Sequence, residues 1–110
     1  MLIRPFTLSD LASFHQTLDA VARERRYLAL LEAPPIGDTE RYLRTALEQG
    51  AIHFVAEDDG RVVGWCEVTP RQQPGSSHIG NLGMGLLHQY RGQGIGYRIL
   101  KATVREAFAK

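Results

Sequence analysis

The segment RGQGIG, residues 91–96, restricts the fold more than any other part of the sequence. Its three glycines alternate with other residues, and an apolar helical pattern follows from about Gly94. The preceding segment HIGNLGMGLL, residues 78–87, favours a strand despite its glycines. A strand, a glycine-rich turn and a helix can bind phosphate, because the first helical amides lack intrahelical partners and the helix dipole favours an anion. We therefore expect a phosphorylated cofactor here, with Arg91 adding positive charge and the glycines admitting a pyrophosphate.

Two common phosphate-binding motifs do not fit this segment. A P-loop requires Gly-x4-Gly-Lys-Ser/Thr, and the sequence contains neither Lys-Ser nor Lys-Thr. A dinucleotide fingerprint requires G-x-G-x-x-G, but its third glycine would fall on Tyr97 or Ile99. Two predicted antiparallel strands also precede the turn, where a dinucleotide fold would have a βαβ unit.

Composition points to one small globular domain, residues 1–110. A net charge of +1 gives no electrostatic argument for nucleic acid or an anionic membrane as a partner. No apolar run approaches the ~20 residues of a membrane span, and the N-terminus lacks the apolar core of a signal peptide. The single cysteine, Cys66, cannot form an internal disulfide and is expected in the core. We expect a cytoplasmic location.

The first half of the chain predicts one strand and two helices. MLIRPFT favours a strand, and Thr7 or Ser9 can cap a helix that begins near Asp10. EAPPIGD predicts a loop because consecutive prolines cannot continue a helix. A second helix over TERYLRTALEQ is expected to be capped by Asp38 or Thr39 and to end at Gly50 in a left-handed C-cap. Its apolar stripe comprises Tyr42, Leu43, Ala46 and Leu47.

The second half predicts a hairpin, a third strand in sequence and a final helix. AIHFVAE and RVVGWCEVTP favour strands, and Asp59–Gly60 between them is a two-residue hairpin signal. The final helix is expected to place five apolar residues along one side: Ile99, Leu100, Val104, Ala107 and Phe108. The predicted order is β-α-α-β-β-β-α.

RGQGIG followed by YRIL resembles motif A of the GNAT acetyltransferase superfamily, Gln/Arg-x-x-Gly-x-Gly/Ala, matched here by Arg91, Gly94 and Gly96. LIRPFTLSDL is similar to the family's first strand and helix start, and FVAEDDGRVVGWCEV to its central hairpin. A second register, Gln89-x-x-Gly92-x-Gly94, also fits the letters. The first is preferred because Ile99 and Leu100 then fall where the family's helix packs on its sheet.

The resemblance implies an α/β fold of the α+β-like kind with a mixed sheet, in a truncated domain that lacks the family's C-terminal strands and helix. It implies an N-acetyltransferase that uses acetyl-CoA to acetylate a small-molecule or peptide amine. Backbone amides would hold the pyrophosphate, and the strand would pair with the pantetheine arm beside a bulge at Gly83 and Gly85. The implied cofactor-binding residues are Met84, Gly85, Leu86, Arg91, Gly92, Gln93, Gly94, Ile95 and Gly96.

The implied chemistry needs an N–H donor for the thioester carbonyl and a base for the amine. Leu86 is the candidate donor. Many relatives carry a glutamate base near the position of Gly80, which is absent here, so Glu67 and His78 are the nearest substitutes. The non-catalytic interpretations are a surface histidine at a strand end for His78, which is the preferred one, and a solvated or substrate-contacting carboxylate for Glu67. No histidine and carboxylate pair has metal-ligand spacing, so no metal is expected.

Three other histidines and one charged segment are expected to have no catalytic role. His53 is interpreted as a strand residue, His15 and His88 as exposed positions, and ARERRY, residues 22–27, as a solvated helix end. The alternative that the resemblance implies for ARERRY is a segment beside the acceptor site, whose cations would meet an acidic acceptor.

The family's domain continues beyond motif A, whereas this sequence resembles about its first two thirds. The alternative function is therefore a CoA-binding or assembly module without turnover. The strand NLGMGLL would present an unpaired edge, which predicts a homo-oligomer, most simply a dimer.

Overall fold

The secondary structure follows the predicted order. The computed structural model describes residues 1–26, 30–70 and 80–109. Short 3₁₀ turns at Leu8–Asp10 and His88–Tyr90 accompany the main elements. The main elements are β1 (Leu2–Pro5), α1 (Leu11–Arg23), α2 (Ile36–Glu48), β2 (Ile52–Asp58), β3 (Arg61–Pro70), β4 (Gly80–Leu86) and α3 (Ile95–Ala109).

The four strands form one sheet in the order β1-β2-β3-β4. All three pairings are antiparallel, and β2 and β3 are joined at Asp59–Gly60 as the hairpin signal predicted. With three helices beside this sheet the α/β class, of the α+β-like kind, is confirmed, but the described sheet is antiparallel throughout where a mixed sheet was expected. Strand β4 lies at one edge of the described sheet. No helix within the described residues is long and apolar enough to cross a bilayer.

Helices cover both faces of the sheet. The Phe14 ring of α1 meets the Trp65 ring of β3 edge to face, with centroids 5.4 Å apart. A Cβ at Gly64, the next residue along β3, would lie 3.2 Å from Ile99 of α3. Because successive strand residues point to opposite faces, α1 and α3 pack on opposite sides. Cys66, on the α3 side, is fully buried as a free thiol, as expected of a core residue.

Thr7 caps the 3₁₀ turn Leu8–Asp10, whereas the N-cap of α1 itself is Asp10 and not the predicted Thr7 or Ser9. The Asp10 carboxylate accepts the Thr7 amide at 2.9 Å, at the start of the first helical turn. The predicted cap of α2 is also corrected. The second helix begins at Ile36, two residues before the predicted cap at Asp38 or Thr39. The carbonyl of Pro35 accepts the amides of both residues, at 2.9 and 3.1 Å. A proline before the first turn enters the helix readily, since its fixed φ suits that position.

The end of α2 is as predicted, but its apolar stripe is narrower. Gly50 has a φ of +92°, and its amide donates to the Leu47 carbonyl at 3.1 Å. Leu43 and Ala46 are buried, whereas Tyr42 and Leu47 are exposed. The prediction for Tyr42 and Leu47 was therefore wrong.

The apolar side of α3 differs from the prediction at its C-terminal end. Ile95, Ile99 and Thr103 are buried, in a row at four-residue spacing. Phe108 is 88% exposed, because nine residues at about 100° each place it opposite Ile99 on the helix. The other predicted members, Leu100, Val104 and Ala107, are half-buried.

The bulge predicted at Gly83 and Gly85 is absent from the described β3–β4 pairing, which runs without a register shift. The irregularity of the sheet lies instead between Ala56 and Glu57, in the β2–β3 pairing. Gly85 lies opposite Trp65, and a Cβ there would overlap the indole ring. The glycine is therefore explained by close packing, and no extra residue interrupts the strand.

His53 lies in β2, as expected of a strand residue, and is part of the core. Its ring stacks on Phe6 at a centroid distance of 4.4 Å and meets the edge of Phe14 at 5.2 Å. The residue is 5% exposed. Burial lowers the pKa of the imidazole to about 4.

Replacing Gly85 with alanine is expected to destabilise the domain by about 1–3 kcal/mol, because the methyl group overlaps the Trp65 ring. Gly83→Ala is the matched control two residues away, where a Cβ meets no atom within 4 Å. Urea denaturation of the two variants measures the difference. Equal stabilities would contradict the packing explanation.

Candidate functional site

The glycine-rich turn borders a cavity of about 380 Å³ at the edge of β4, the turn cavity. Seven of the predicted cofactor-binding residues line it, together with Val21 of α1 and Tyr97 of α3. These seven are Met84, Gly85, Leu86, Arg91, Gly92, Gly94 and Gly96. The side chains of the other two point elsewhere: Ile95 is buried in the core, and the Gln93 amide donates to the Gln89 carbonyl at 3.2 Å.

The backbone of the turn opens toward this cavity. Gly94 has a φ of +80°, a conformation that favours glycine, and α3 begins at the next residue. The Arg98 amide donates to the Gly94 carbonyl at 3.2 Å, so the amides of residues 95–97 precede the first intrahelical bond. A Cβ at Gly94 or Gly96 would meet no protein atom within 4 Å. Helix-start amides beside open space fit an anionic group such as a pyrophosphate.

The packing of α3 agrees with the preferred motif register. Ile99 is fully buried and Leu100 packs against the core, as that register requires. Arg91 lines the turn cavity, whereas Gln89, the first residue of the other register, is exposed and does not line it.

The Arg91 guanidinium forms an ion pair that the sequence did not predict. Its two terminal nitrogens donate to both carboxylate oxygens of Glu24, at 2.8 and 2.7 Å, and its Nε donates to the Leu86 carbonyl at 2.9 Å. The guanidinium holds the pKa of Glu24 below its usual range. Arg91 therefore connects the turn to the C-terminal end of α1 and to the end of β4, and its charge is compensated by Glu24.

The outward backbone groups of β4 also face the site. The Leu87 amide donates to the Val63 carbonyl opposite it at 2.9 Å. Because hydrogen-bonded and non-hydrogen-bonded pairs alternate in an antiparallel ladder, the amides of Leu86 and Met84 point away from β3, toward the open edge. This is the orientation needed for Leu86 to donate to a carbonyl and for β4 to pair with an extended chain.

A second cavity of about 420 Å³, the apolar cavity, lies between α1, α2 and the two last strands. Glu67 of β3 lies in its wall. Its Oε1 accepts the Tyr42 hydroxyl at 3.1 Å, while Oε2 is buried and has no hydrogen-bond partner among the described residues. Burial raises the pKa of Glu67. Met84 lines both cavities, so the two spaces adjoin at β4.

Neither His15 nor His88 lines the turn cavity or the apolar cavity. His78, the alternative base, lies outside the described residues. His15 is half-buried rather than exposed, because its Nε2 lies 2.6 Å from the Pro34 carbonyl oxygen. His88 is exposed, as expected. Within the described parts of the chain no three His, Cys, Asp or Glu side chains form a group able to hold a metal.

Several solved acetyltransferases share this fold. One is a ribosomal-protein-alanine N-acetyltransferase from Brucella melitensis, with a TM-score of 0.89 and 25% identity over 99% of this chain and 68% of that one. Another, a GNAT family acetyltransferase from Brucella melitensis in complex with acetyl-CoA, has a TM-score of 0.78 and 26% identity over 98% of this chain and 68% of that one.

A phosphinothricin acetyltransferase from Sinorhizobium meliloti, in complex with acetyl-CoA, has a TM-score of 0.90. Its 21% identity, over 98% of this chain and 60% of that one, shows the fold alone. The chain thus spans between 60% and 68% of the length of these three structures.

The fold and the glycine turn define a domain of the acetyltransferase class. The model of the acetyltransferase (GNAT) family matches residues 15–110, and the chain belongs to this family. No curated protein matches the sequence.

Replacing Glu24 with glutamine is expected to loosen the turn, because Arg91 loses its carboxylate partner. Hydrogen exchange of the Arg98 amide should become several-fold faster, whereas Glu48→Gln, an exposed substitution on α2, should leave it unchanged. In the unaltered chain the same loosening is expected as the pH falls through the lowered pKa of Glu24. Unchanged exchange in the Glu24 variant would show that the ion pair does not hold the turn.

Proposed function

We propose that this chain transfers an acetyl group from acetyl-CoA to a primary amine. The observation that supports it most is the turn cavity, where helix-start amides and glycines without protein neighbours border open space. The outward amides of β4 lie along the same cavity. Two of the solved acetyltransferases with this fold are complexes with acetyl-CoA.

The residues divide into a donor side and an acceptor side. In the reaction the amine nitrogen bonds to the acetyl carbon, the carbon–sulfur bond breaks, the amine loses a proton and the sulfur gains one. The backbone at residues 91–96 would hold the pyrophosphate, and β4 would hold the extended arm. Leu86 would donate its amide to the thioester oxygen, where charge develops.

Glu67 is the proposed proton acceptor among the described residues. An alkyl amine with a pKa near ~10.4 is mostly protonated at neutral pH and must lose a proton before it attacks. The raised pKa of Glu67 makes it a stronger base than an ordinary glutamate, and its buried Oε2 is available to an N–H donor. His78 stays an alternative base.

A CoA-binding or assembly module without turnover is the second candidate. The turn cavity and the outward amides of β4 would serve this module as well, because they concern binding of the donor and not the transfer step. A thiol-release assay with a panel of amines separates the two, since binding of acetyl-CoA without release supports the module.

We also propose that the 110-residue chain, when no acetyl-CoA arm is paired with β4, self-associates along this strand, most simply as a two-fold dimer in the cytoplasm. The strand lies at the edge of the described sheet, and Met84 on it is exposed. The buried free thiol of Cys66 suits a reducing compartment. Sedimentation at micromolar concentrations measures the association, and a monomer throughout would contradict it.

Replacing Gly94 with valine is expected to reduce acetyl-CoA affinity by at least about tenfold, or about 1.4 kcal/mol. The new side chain would enter the turn cavity, and a φ of +80° strains a β-branched residue. Gly50→Val is the matched control, because Gly50 has a φ of +92° but lies outside the cavity. Calorimetric titration with acetyl-CoA measures both, and equal affinities would contradict the site.

A further inference from the structure

We propose that the acceptor is a primary amine carried on an uncharged apolar body of roughly arylalkylamine size, bound in the apolar cavity with its ammonium group at Glu67. The inference rests on the proposed function and names its acceptor class. It is carried by the lining of the cavity, by the unpartnered oxygen of Glu67 and by a glycine that packing does not require.

The cavity suits an apolar body. More than half of its lining residues are apolar or aromatic: Phe14, Leu18, Leu30, Pro34, Leu43, Trp65 and Met84. Its volume of about 420 Å³ is in the range of sites for small molecules. A polyhydroxylated or polycationic acceptor would bury polar groups without partners there, which is unfavourable. The lining therefore favours aromatic or aliphatic acceptors over sugars and polyamines.

The charge of the cavity suits an ammonium group. Its described lining carries two carboxylates, Asp38 and Glu67, and no cation. Asp38 is already paired with Arg41 at 3.1 Å, whereas Oε2 of Glu67 has no partner among the described residues. The Tyr42 hydroxyl donates to Oε1 and so orients the carboxylate. An N–H donor completes this group, while a carboxylate on the acceptor would be repelled.

Gly83 keeps space beside this carboxylate. It lies directly opposite Glu67 in the β3–β4 register, so the two residues share one face of the sheet. Its φ is not in the left-handed region, and a Cβ there would meet no atom within 4 Å. Neither the backbone nor the packing of the chain requires a glycine, in contrast to Gly85 beneath Trp65. A side chain at position 83 would enter the cavity next to Glu67.

The position of Glu67 also fits transfer. The apolar cavity adjoins the turn cavity at Met84, whose amide points toward the open edge of β4. An amine held at Glu67 is therefore close to the strand along which the donor would lie.

The single tryptophan of the chain, Trp65, lines the cavity and reports binding by its fluorescence without any need for turnover. We expect 2-phenylethylamine to give a saturable change. Its affinity should exceed that of 3-phenylpropionate, which has the same body with a carboxylate, by at least about tenfold. Spermidine, an amine without an apolar body, should bind more weakly than 2-phenylethylamine.

Two variants test the named residues. Glu67→Gln is expected to remove most of the preference for 2-phenylethylamine over neutral 2-phenylethanol, while 2-phenylethanol still binds and so reports an intact fold. Gly83→Val should abolish binding of both, and Glu48→Gln, outside the cavity, should change neither. Equal affinity for the amine and the carboxylate, tighter binding of spermidine, or full binding by the Gly83 variant would overturn the inference.

Calorimetry with acetyl-CoA alone keeps this test separate from the proposed function. Binding of acetyl-CoA together with failure of the amine series overturns only the acceptor class. Amine binding with the expected preferences supports the acceptor class even if acetyl-CoA does not bind, a result that would instead count against the proposed transferase.

Discussion

The contact between the Trp65 ring and Gly85 determines how the two cavities lie in this domain. The ring also meets Phe14 of α1, so it ties the helical layer to the edge strand. Any side chain at position 85 would push β4 away from the ring. Trp65 lines the apolar cavity and Gly85 lines the turn cavity, so this one pair of residues forms part of the boundary between them. The closeness of the two spaces is a result of core packing.

Side-chain hydrogen bonds fix the position of the glycine turn, while its backbone amides face the turn cavity. Arg91 ties one end of it to Glu24 and to the Leu86 carbonyl. The Tyr90 hydroxyl donates to Asp58 at 2.6 Å and fixes the approach to the turn against the β2–β3 hairpin. With its position set from two sides, the turn can present amides to an anion with little further ordering.

The order of the elements, the hairpin and the turn were predictable because each depends on local signals such as Asp59–Gly60 and the motif at residues 91–96. The partners of residues that are far apart in the sequence were not predictable. Glu24 was predicted to lie in a solvated, charged helix end. Nothing in the sequence around it indicated an ion pair with Arg91, which is 67 residues away. Phe108 is a different case: helical spacing puts it opposite Ile99, so its exposure was predictable from the sequence and its assignment to the apolar side was wrong. Gly85 and Gly83 look alike in sequence, and only the position of Trp65 distinguishes them.

The neutral imidazole of His53, enclosed by Phe6 and Phe14, links folding to proton uptake. The folded chain leaves this ring unprotonated down to a pH of about 4, whereas an unfolded histidine takes up its proton near ~6.5. Between these two pH values the unfolded chain carries one more proton on His53 than the folded chain does. The contribution of His53 to stability therefore falls by up to about 1.4 kcal/mol for each pH unit of acidification in that window. A residue with no part in the chemistry of the site thus makes the core sensitive to mild acid.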